Sequence, residues 1–451
     1  MRKIRIITFG CQMNKLDSEL AAEALEAAGH LIVEDEAAAD TVIFNTCSVR
    51  DHAEQRVLSR LAQLRSRRDS QSDFRLGLMG CFAERDGSAL LERLPYLDFA
   101  VGTRQFMRLP EVVANLGDGA IGRFGEADDS QPGIDSAHPR LRHRGVQGFV
   151  SVMRGCENRC SYCIVPDVRG PEISRPESEI VAEVLSLARG GAREVTLLGQ
   201  NIDAYGKREG RSLAGLLEAI DRGVPAETGL CRVRFVTSHP RDINRHLAET
   251  VRALPRVCRH FHMPAQSGSD TVLRRMRRGY TRAEYDDKLA MLRDAIPDAL
   301  VASDFIVGFP GETEGDFART LELVETAGFQ NSYIFKYSPR PGTPAAMEME
   351  DDVSVDDKKR RNALLLAAQE RVSRARAERL VGTRQTVMAE GVSSRDGAKW
   401  TGRTDTNLIC VFTPPDASRI EAGDLVTLSI CSATPLTLFG SVVVSGGEME
   451  R

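Results

Sequence analysis

Residues 155–163 read GCENRCSYC and place Cys156, Cys160 and Cys163 in a C-x3-C-x2-C array. The array directly follows FVSVM, the first of six predicted strands that alternate with helical stretches. Six such units predict an open, partial TIM-like (βα)6 barrel over residues 142–376, with its ligand site at the carboxyl ends of the strands. The strand candidates are FVSVM (149–153), EVTLLG (194–199), VRFVT (233–237), RHFHM (259–263), LVASDFIVG (300–308) and SYIFKYS (332–338).

Residues 1–117 carry a second alternation of strands and helices, which predicts a doubly wound parallel sheet. After the first strand, Asp17 and Ser18 predict the start of a helix that runs to Gly29. The carboxyl ends of neighbouring parallel strands meet at one edge, so residues that follow them meet in space. Each of three strands ends just before a cysteine: KIRIITF (3–9) before Cys11, TVIFN (41–45) before Cys47 and FRLGLMG (74–80) before Cys81.

The remaining segments complete an α/β chain of three domains. Residues 118–141 are rich in Gly, Asp, Ser and Pro and predict a linker. Residues 377–445 contain short β runs between Gly, Asp and Pro, which predict a small carboxyl-terminal β-barrel. A net charge of −4 gives no general attraction to nucleic acid, and no apolar run is long enough to span a membrane. We therefore expect a cytoplasmic protein without a membrane partner.

The close array of three cysteines favours an iron–sulfur cluster over zinc. Structural zinc takes four ligands, usually from two cysteine knuckles, and the chain has no second knuckle. Three thiolates can hold three irons of a [4Fe–4S] cube and leave the fourth iron for a small molecule. Zinc and a redox disulfide remain alternatives at this point.

GCENRCSYC resembles the motif of the radical S-adenosylmethionine (SAM) enzymes. The resemblance implies that Cys156, Cys160 and Cys163 ligate a [4Fe–4S] cluster whose open iron binds SAM. An electron from the cluster then cleaves SAM to a radical that removes hydrogen from an inert C–H bond. The chain shows no convincing acid–base triad, as such chemistry predicts.

The segments TFGCQMNKLDSE, NTCSVR and GLMGCFAE resemble the amino-terminal module of the radical SAM methylthiotransferases. The resemblance implies that Cys11, Cys47 and Cys81 ligate a second [4Fe–4S] cluster, whose open iron binds the sulfur to be methylated and delivered. The alternative for each of these three is a buried core cysteine. The carboxyl-terminal part resembles the TRAM module, an RNA-binding barrel.

Further motifs resemble the family members that act on isopentenyl-adenosine beside the tRNA anticodon: RGPEISRP, LLGQNIDAYG, HMPAQSGSD, SDFIVGFPGET and YSPRPGTPAA. The resemblance implies the tRNA anticodon stem-loop as a partner, and a flavodoxin or ferredoxin as reductant. Threonylcarbamoyl-adenosine, a ribosomal-protein aspartate, and a zinc-stabilised RNA-binding protein without activity remain alternatives. Three residues depart from the expected pattern: Arg154, Asp167 and Leu408.

Residues near predicted strand ends are candidates for contact with SAM or adenine, and a βα turn or a helix cap is the alternative explanation. They are Tyr162, Gln200, Asn201, Gln266, Ser267, Gly308, Gly311 and Glu312. RNA contacts are predicted in the last domain at Arg395, Lys399, Trp400 and Arg403. The run LRRMRRGYTR (273–282) is a further candidate for phosphate contacts, or a solvated helix face.

Overall fold

Three regions of regular structure follow one another in the computed structural model, which describes residues 1–48, 51–116, 122–124, 145–414, 420–445 and 448–449. The first region is a parallel sheet, the second an arc of parallel strands, and the third a closed β-barrel. The elements of the first region are β1 (Lys3–Phe9), α1 (Gln12–Ala27), β2 (Leu31–Ile32), β3 (Thr41–Thr46), α2 (Asp51–Ser70), β4 (Arg75–Gly80), α3 (Cys81–Arg93), β5 (Phe99–Val101), α4 (Leu109–Ala114) and β6 (Gly122–Phe124).

The first region is doubly wound, as predicted. Its six strands lie in the order β2-β1-β3-β4-β5-β6, and each neighbouring pair is parallel. Successive residues of β3 enter opposite cores: Val42 and Phe44 lie in one hydrophobic cluster and Ile43 in another. A strand that is buried on both faces reads as a continuous apolar run, which is what TVIF provides.

Two local expectations for this region differ from the structure. Helix α1 begins at Gln12 and not at Asp17, because Cys11 occupies the N-cap and the Asn14 side chain accepts a hydrogen bond from the Cys11 N–H (3.3 Å). The predicted linker 118–141 contains the short strand β6, which pairs with β5. The rest of that linker lies outside the described residues.

The second region begins near Gln147 and ends with a long helix. Its elements are β7 (Gln147–Ser151), β8 (Met153–Arg154), α5 (Val165–Arg169), β9 (Ile173–Ser174), α6 (Glu177–Arg189), β10 (Glu194–Leu198), α7 (Leu213–Gly223), β11 (Arg232–Phe235), α8 (Arg245–Ala253), β12 (His260–His262), α9 (Asp270–Arg275), α10 (Arg282–Ala295), β13 (Leu300–Val307), α11 (Glu314–Ala327), β14 (Asn331–Lys336), α12 (Pro344–Glu348) and α13 (Val355–Glu378).

Six parallel strands of this region form an open arc in chain order, from β7 to β14. Strands β7, β10 and β11 form one run and β12, β13 and β14 another. The two runs are joined where the Val233 N–H donates to the Arg256 carbonyl (2.7 Å) and the Cys258 N–H donates to the Val233 carbonyl (2.9 Å). The predicted (βα)6 partial barrel is thus confirmed, and its carboxyl-terminal face begins with the three-cysteine loop after β8.

The third region is a closed five-stranded barrel in the order β15-β16-β17-β19-β18. The structure confirms the small barrel that the sequence predicts. Its interior is filled by alternate residues such as Val387, Cys410 and Leu428. The strands are β15 (Arg384–Val392), β16 (Trp400–Thr404), β17 (Ile409–Thr413), β18 (Leu425–Ala433) and β19 (Thr437–Val442), followed by the hairpin β20 (Val444–Ser445) and β21 (Glu448–Met449).

The closed barrel lies against the amino ends of the central strands. Arg232, at the start of β11, donates to the Arg403 carbonyl (2.6 Å), and Arg234 donates to the Asp405 carbonyl (2.8 Å). Gln147, at the start of β7, donates to Glu390 (3.0 Å). The barrel therefore lies at the end of the arc opposite to the three-cysteine loop.

Candidate active site: two three-cysteine sites

The loop that carries Cys156, Cys160 and Cys163 is held by its backbone. Gly155 has φ +73°, and a Cβ at that position would lie 1.9 Å from the Pro171 carbonyl oxygen, so no other residue fits without a shift. The Cys156 N–H donates to the Gly170 carbonyl (3.3 Å), and the Cys163 N–H donates to the Cys160 carbonyl (3.1 Å). These contacts fold the cysteine loop back onto the chain that follows it.

The thiols of this loop lie in a low-dielectric setting. Burial, and after it the charge on Cys160, raises the pKa of Cys163 to about 12. Burial also raises the pKa of Cys156. Arg278 donates a hydrogen bond to the Cys160 sulfur (3.3 Å). The loop thus offers three sulfur donors within electrostatic reach of one another, and one buried cation beside them.

Several polar atoms at the carboxyl ends of β10, β11 and β12 are buried without a hydrogen-bond partner. They include the side-chain oxygens of Gln200, Asn201 and Gln266. Gln266 has φ +66° and Thr237, after β11, has φ +72°, a conformation that is rare for a β-branched residue. Buried acceptors without protein partners, beside strained backbone, point to a polar ligand at this face.

Asp203 lies on the same face and was not singled out from the sequence. It is 7% exposed, and burial raises the pKa of its carboxyl group to about 7, although the Ser238 hydroxyl beside it acts in the opposite direction. A carboxyl group that is half neutral near pH 7 can donate as well as accept a hydrogen bond.

Two other predicted residues on this face are engaged within the protein. Ser267 hydrogen-bonds to the Thr320 hydroxyl (3.2 Å) and accepts from the Ser269 N–H (3.2 Å), at the start of α9. Tyr162 packs edge-on against Phe309, with ring centroids 6.4 Å apart. Both residues therefore contribute to the packing around this face.

The VGFPGET loop after β13 is tied by an ion pair. Glu312 is 4% exposed, accepts from the Gly308 N–H (3.0 Å) and accepts from Arg361 of α13 (2.9 Å). Gly308 and Gly311 have φ values of +69° and +72°. A Cβ at Gly311 would lie 1.2 Å from the Arg275 guanidinium. The loop is therefore a tight, fixed turn, and its glycines are required by the backbone.

The second set of cysteines is assembled by strand register. Phe9 of β1 pairs with Thr46 of β3, and Thr46 pairs with Gly80 of β4. Cys47 and Cys81 therefore stand one residue beyond a paired row, and Cys11 stands two residues beyond it. The predicted meeting of the three cysteines at one sheet edge agrees with this register.

The electrostatics of this second set differ from those of the loop. A hydrogen bond from Cys47 lowers the pKa of Cys11 to about 6, and the charge on Arg169 also lowers it, against the effect of burial. Burial raises the pKa of Cys81, while Arg169 opposes that rise. At neutral pH this site therefore holds a thiolate even without a metal, next to a buried guanidinium.

Arg169 forms a buried ion pair with Asp17 that joins the first region to the second. Arg169 is 8% exposed and Asp17 is 4% exposed, and their nitrogen and oxygen lie 2.7 Å apart. Burial opposes the charge on Arg169, but Asp17 and Cys81 outweigh it and raise the pKa of the guanidinium well above its usual value. Since Arg169 belongs to α5, six residues after Cys163, this ion pair links the two cysteine sites.

The donor sets fit iron–sulfur clusters, because each offers three soft thiols and a neighbouring cation. In a four-iron cube each thiolate binds a different iron. Among the residues that the structure describes, no three His, Cys, Asp or Glu side chains are grouped around a single metal position.

Arg278 and Arg169 were not recognised as site residues from the sequence. The run LRRMRRGYTR was interpreted as a phosphate contact or a solvated face, yet Arg278 within it is only 6% exposed and faces Cys160. A basic run gives no signal for which of its members turns inward. The proximity of Arg169 to Asp17 depends on the packing of two regions, which leaves no local pattern.

The residues predicted to contact RNA lie on the closed barrel. Arg403 is bound to Glu390 (2.9 Å), and Lys399 forms an ion pair with Asp396 (3.1 Å). Trp400 is half buried against the barrel core, and Arg395 is exposed. Because the Arg403 carbonyl contacts Arg232 at the amino end of β11, Arg403 lies at the opposite end of the central strands from the cysteine loop.

Comparisons with known proteins agree with this architecture. The model of the Radical SAM superfamily matches residues 150–324, and that of the Uncharacterized protein family UPF0004 matches residues 3–102. The chain is 45% identical to the tRNA-2-methylthio-N(6)-dimethylallyladenosine synthase of Geobacter metallireducens, covering 97% of this chain and 98% of that protein. It is 41% identical to the protein of the same name from Chlorobium phaeobacteroides. That alignment covers 98% of this chain and 97% of the relative.

A solved structure supports the fold. The radical S-adenosylmethionine methyltransferase TsrM from Kitasatospora setae, with cobalamin and a [4Fe-4S] cluster bound, superposes with a TM-score of 0.56 at 16% identity. The superposition covers 77% of each chain. No helix in the described ranges is both long and apolar enough to cross a membrane.

Proposed function

Because this chain belongs to the family of tRNA-2-methylthio-N(6)-dimethylallyladenosine synthases, we propose that it adds a methylthio group to C2 of N6-isopentenyladenosine next to the tRNA anticodon. The observation that carries this proposal is the coexistence of two three-cysteine sites on one chain that matches such synthases over 97% of its length. The enzyme is then a transferase of the radical SAM type.

The six cysteines are proposed to hold two [4Fe–4S] clusters. Cys156, Cys160 and Cys163 would hold the one that binds SAM, and Cys11, Cys47 and Cys81 the one that binds the donated sulfur. When bound, these groups and two SAM molecules supply the radical that takes hydrogen from adenine C2, the sulfur, and its methyl group. Three ligands at each site leave one iron open, which both tasks require.

The protein's own contribution is orientation and exclusion of water. The unpartnered oxygens of Gln200, Asn201 and Gln266 would accept hydrogen bonds from the amino and hydroxyl groups of SAM or from the adenine. Met13 and Leu16 of α1 pack with Leu198 at the end of β10, so the first region covers part of the same face. This packing supports the proposal that the sulfur-donor site lies next to the site of the radical chemistry.

The finer partners follow from the same proposal. The anticodon stem-loop would enter at the carboxyl ends of the central strands, while the TRAM-like barrel, over 377–445, holds RNA farther from the target base through residues such as Arg395 and Lys399. A flavodoxin or ferredoxin would supply the electron. The other family substrates, threonylcarbamoyl-adenosine and a ribosomal-protein aspartate, would use the same two clusters.

The test is the nucleoside content of bulk tRNA from cells that lack their own methylthiotransferase, measured by mass spectrometry with and without this gene. We expect 2-methylthio-N6-isopentenyladenosine only when the gene is present. A variant with Cys160→Ala is the matched control and should give none. Soluble, iron-loaded protein that leaves isopentenyl-adenosine unmodified would exclude this substrate. Protein that binds zinc and no acid-labile sulfide would exclude the chemistry altogether.

A further inference from the structure

We infer that Arg278 is a positioning residue for the SAM-binding cluster, because it fixes the Cys160 sulfur and offsets the negative charge of the three thiolates. The inference rests on the proposed function only in assuming that Cys156, Cys160 and Cys163 hold a cluster.

The guanidinium of Arg278 is held in place on three sides. Its Nη1 donates to the Cys160 sulfur (3.3 Å), its Nε donates to the Tyr280 hydroxyl (3.0 Å), and its Nη2 donates to the Pro264 carbonyl (3.1 Å). The Tyr280 hydroxyl donates in turn to the Ala265 carbonyl (2.9 Å). A planar fork with several fixed bonds has one orientation, so the sulfur that it contacts is fixed as well.

The charge of Arg278 has no carboxylate partner among the residues that the structure describes. Three other buried arginines do have one. Arg234 faces Glu194 at 3.0 Å, and Arg361 faces Glu312 at 2.9 Å. Arg169, beside the other cysteine set, faces Asp17 at 2.7 Å. A buried, uncompensated guanidinium is costly, so its counter-charge must come from the group that it contacts. That group is the Cys160 sulfur, which is a thiolate when it ligates a cluster.

The consequence is electrostatic. An oxidised [4Fe–4S] core with three thiolates carries a net negative charge, and reduction adds one more electron to it. A fixed positive charge and an N–H···S bond stabilise the more negative form. Arg278 therefore makes the midpoint potential of this cluster less negative than it would otherwise be. It also favours retention of the cluster, because it holds one of its three ligands in place.

The experiment isolates this cluster in the full chain carrying Cys11→Ala, Cys47→Ala and Cys81→Ala. Into this parent we would introduce Arg278→Met, which is similar in length but uncharged, and Arg278→Lys, which keeps the charge but loses the fork. Arg277→Met is the matched control, because Arg277 is the exposed neighbour and pairs with Glu348 (3.0 Å) rather than with the cysteine loop. The readouts are iron and sulfide per chain, the electron paramagnetic resonance spectrum, and the midpoint potential from a redox titration without tRNA.

We expect the midpoint potential to shift to more negative values in Arg278→Met, by a smaller amount in Arg278→Lys, and not in Arg277→Met. The loss of iron per chain should likewise be largest in Arg278→Met, smaller in Arg278→Lys and absent in Arg277→Met. Folded Arg278→Met protein with about four irons and the parent's potential would overturn the inference. If Arg278→Met does not fold, Arg278→Lys serves as the test. An unchanged midpoint potential and iron content in that variant would also overturn the inference.

The outcomes separate this inference from the proposed function. A parent that binds no cluster at all would remove the basis of both. A parent with a cluster whose potential is insensitive to residue 278 would remove only the inference. A shifted potential in a protein that does not modify isopentenyl-adenosine would leave the inference standing and exclude only the substrate.

Discussion

The two cysteine sites are built in opposite ways. Cys156, Cys160 and Cys163 share one loop of a few residues, whose shape is fixed by the positive φ of Gly155. Cys11, Cys47 and Cys81 come from three neighbouring strands and meet only because the register of β1, β3 and β4 brings their ends level. One site is thus a property of local backbone, and the other a property of topology.

Their charges also differ. The guanidinium beside the second set, Arg169, is paired with Asp17. Arg278, beside the loop, has hydroxyl, carbonyl and sulfur partners and no carboxylate among the described residues. The ion pair holds two regions of the chain together, so the site of Cys11, Cys47 and Cys81, the assembled site, depends on their packing. The site of Cys156, Cys160 and Cys163, the local site, depends instead on its own loop and on one cation.

The largest expected effect comes from removing a cysteine in either site. Cys156→Ala and Cys47→Ala should each abolish methylthio transfer, and each should lower iron from about eight per chain to about four. The two variants should differ in SAM cleavage: Cys47→Ala should still produce 5′-deoxyadenosine with a chemical reductant, and Cys156→Ala should not. Iron analysis and chromatography of the nucleoside products check both expectations.

The control for these variants is Cys258→Ala. Cys258 is 1% exposed, in the central domain but outside both sites, and burial raises the pKa of its thiol to about 12. Its loss should lower stability by a cavity cost while leaving iron near eight per chain. If Cys258→Ala loses iron as the other two do, the assignment of ligands to two separate sites is wrong.

Gly155→Ala should affect the Cys156, Cys160 and Cys163 loop without removing any ligand. The added Cβ would lie 1.9 Å from a backbone oxygen, so the loop must move and the loop cluster should be lost. Gly29→Ala is the matched control, because Gly29 has φ +85° but nothing within 4 Å of the added Cβ. We expect Gly29→Ala to cost about 1–2 kcal/mol of stability with no loss of iron. Equal iron content in the two variants would contradict a backbone-built site.

The assembled site should respond to Asp17→Asn. The substitution leaves Arg169 buried without its counter-charge, which costs about 3–5 kcal/mol for pairs of this kind. We expect a lower melting temperature and loss of iron from the Cys11, Cys47 and Cys81 site, with SAM cleavage retained. Asp69→Asn is the control, since its pair with Arg65 is exposed and contributes less than about 1 kcal/mol. A loss of SAM cleavage in Asp17→Asn would show that the sites are not independent in this respect.

The same contrast explains what the sequence predicts well. The loop cysteines are recognisable because their spacing and the strand before them both lie within one short stretch of sequence. The six-strand arc and most of the closed barrel follow from periodicity within strands of three to nine residues. The meeting of Cys11, Cys47 and Cys81 could be predicted as well, since it requires only that three parallel strands end at one edge.

Other features depend on contacts that no local pattern reports. Helix α1 starts at Gln12 because Cys11 and Asn14 form a cap, a pairing outside the usual capping residues. The inward turn of Arg278 depends on Tyr280 and on a loop more than a hundred residues away. The closed barrel's position at the amino ends of the strands rests on side-chain contacts from Arg232 and Arg234. These features arise from tertiary contacts, and secondary-structure propensity gives no information about such contacts.

The smallest expected effect is a difference in thiol reactivity between the two sites in metal-free protein. The pKa of Cys11 is lowered to about 6, chiefly by the hydrogen bond from Cys47, whereas burial raises that of Cys163 to about 12. At pH 7 Cys11 is therefore mostly thiolate and Cys163 is a thiol, and only the thiolate reacts with iodoacetamide. We expect Cys11 to be alkylated at least about tenfold faster than Cys163, and its rate to fall as the pH is lowered through about 6.

Peptide mapping by mass spectrometry measures both rates, with the exposed Cys431 as the reference for access. A Cys11 rate at pH 7 no higher than that of Cys163 would show that Cys47 and Arg169 do not activate Cys11, and the electrostatic contrast between the two sites would then be lost.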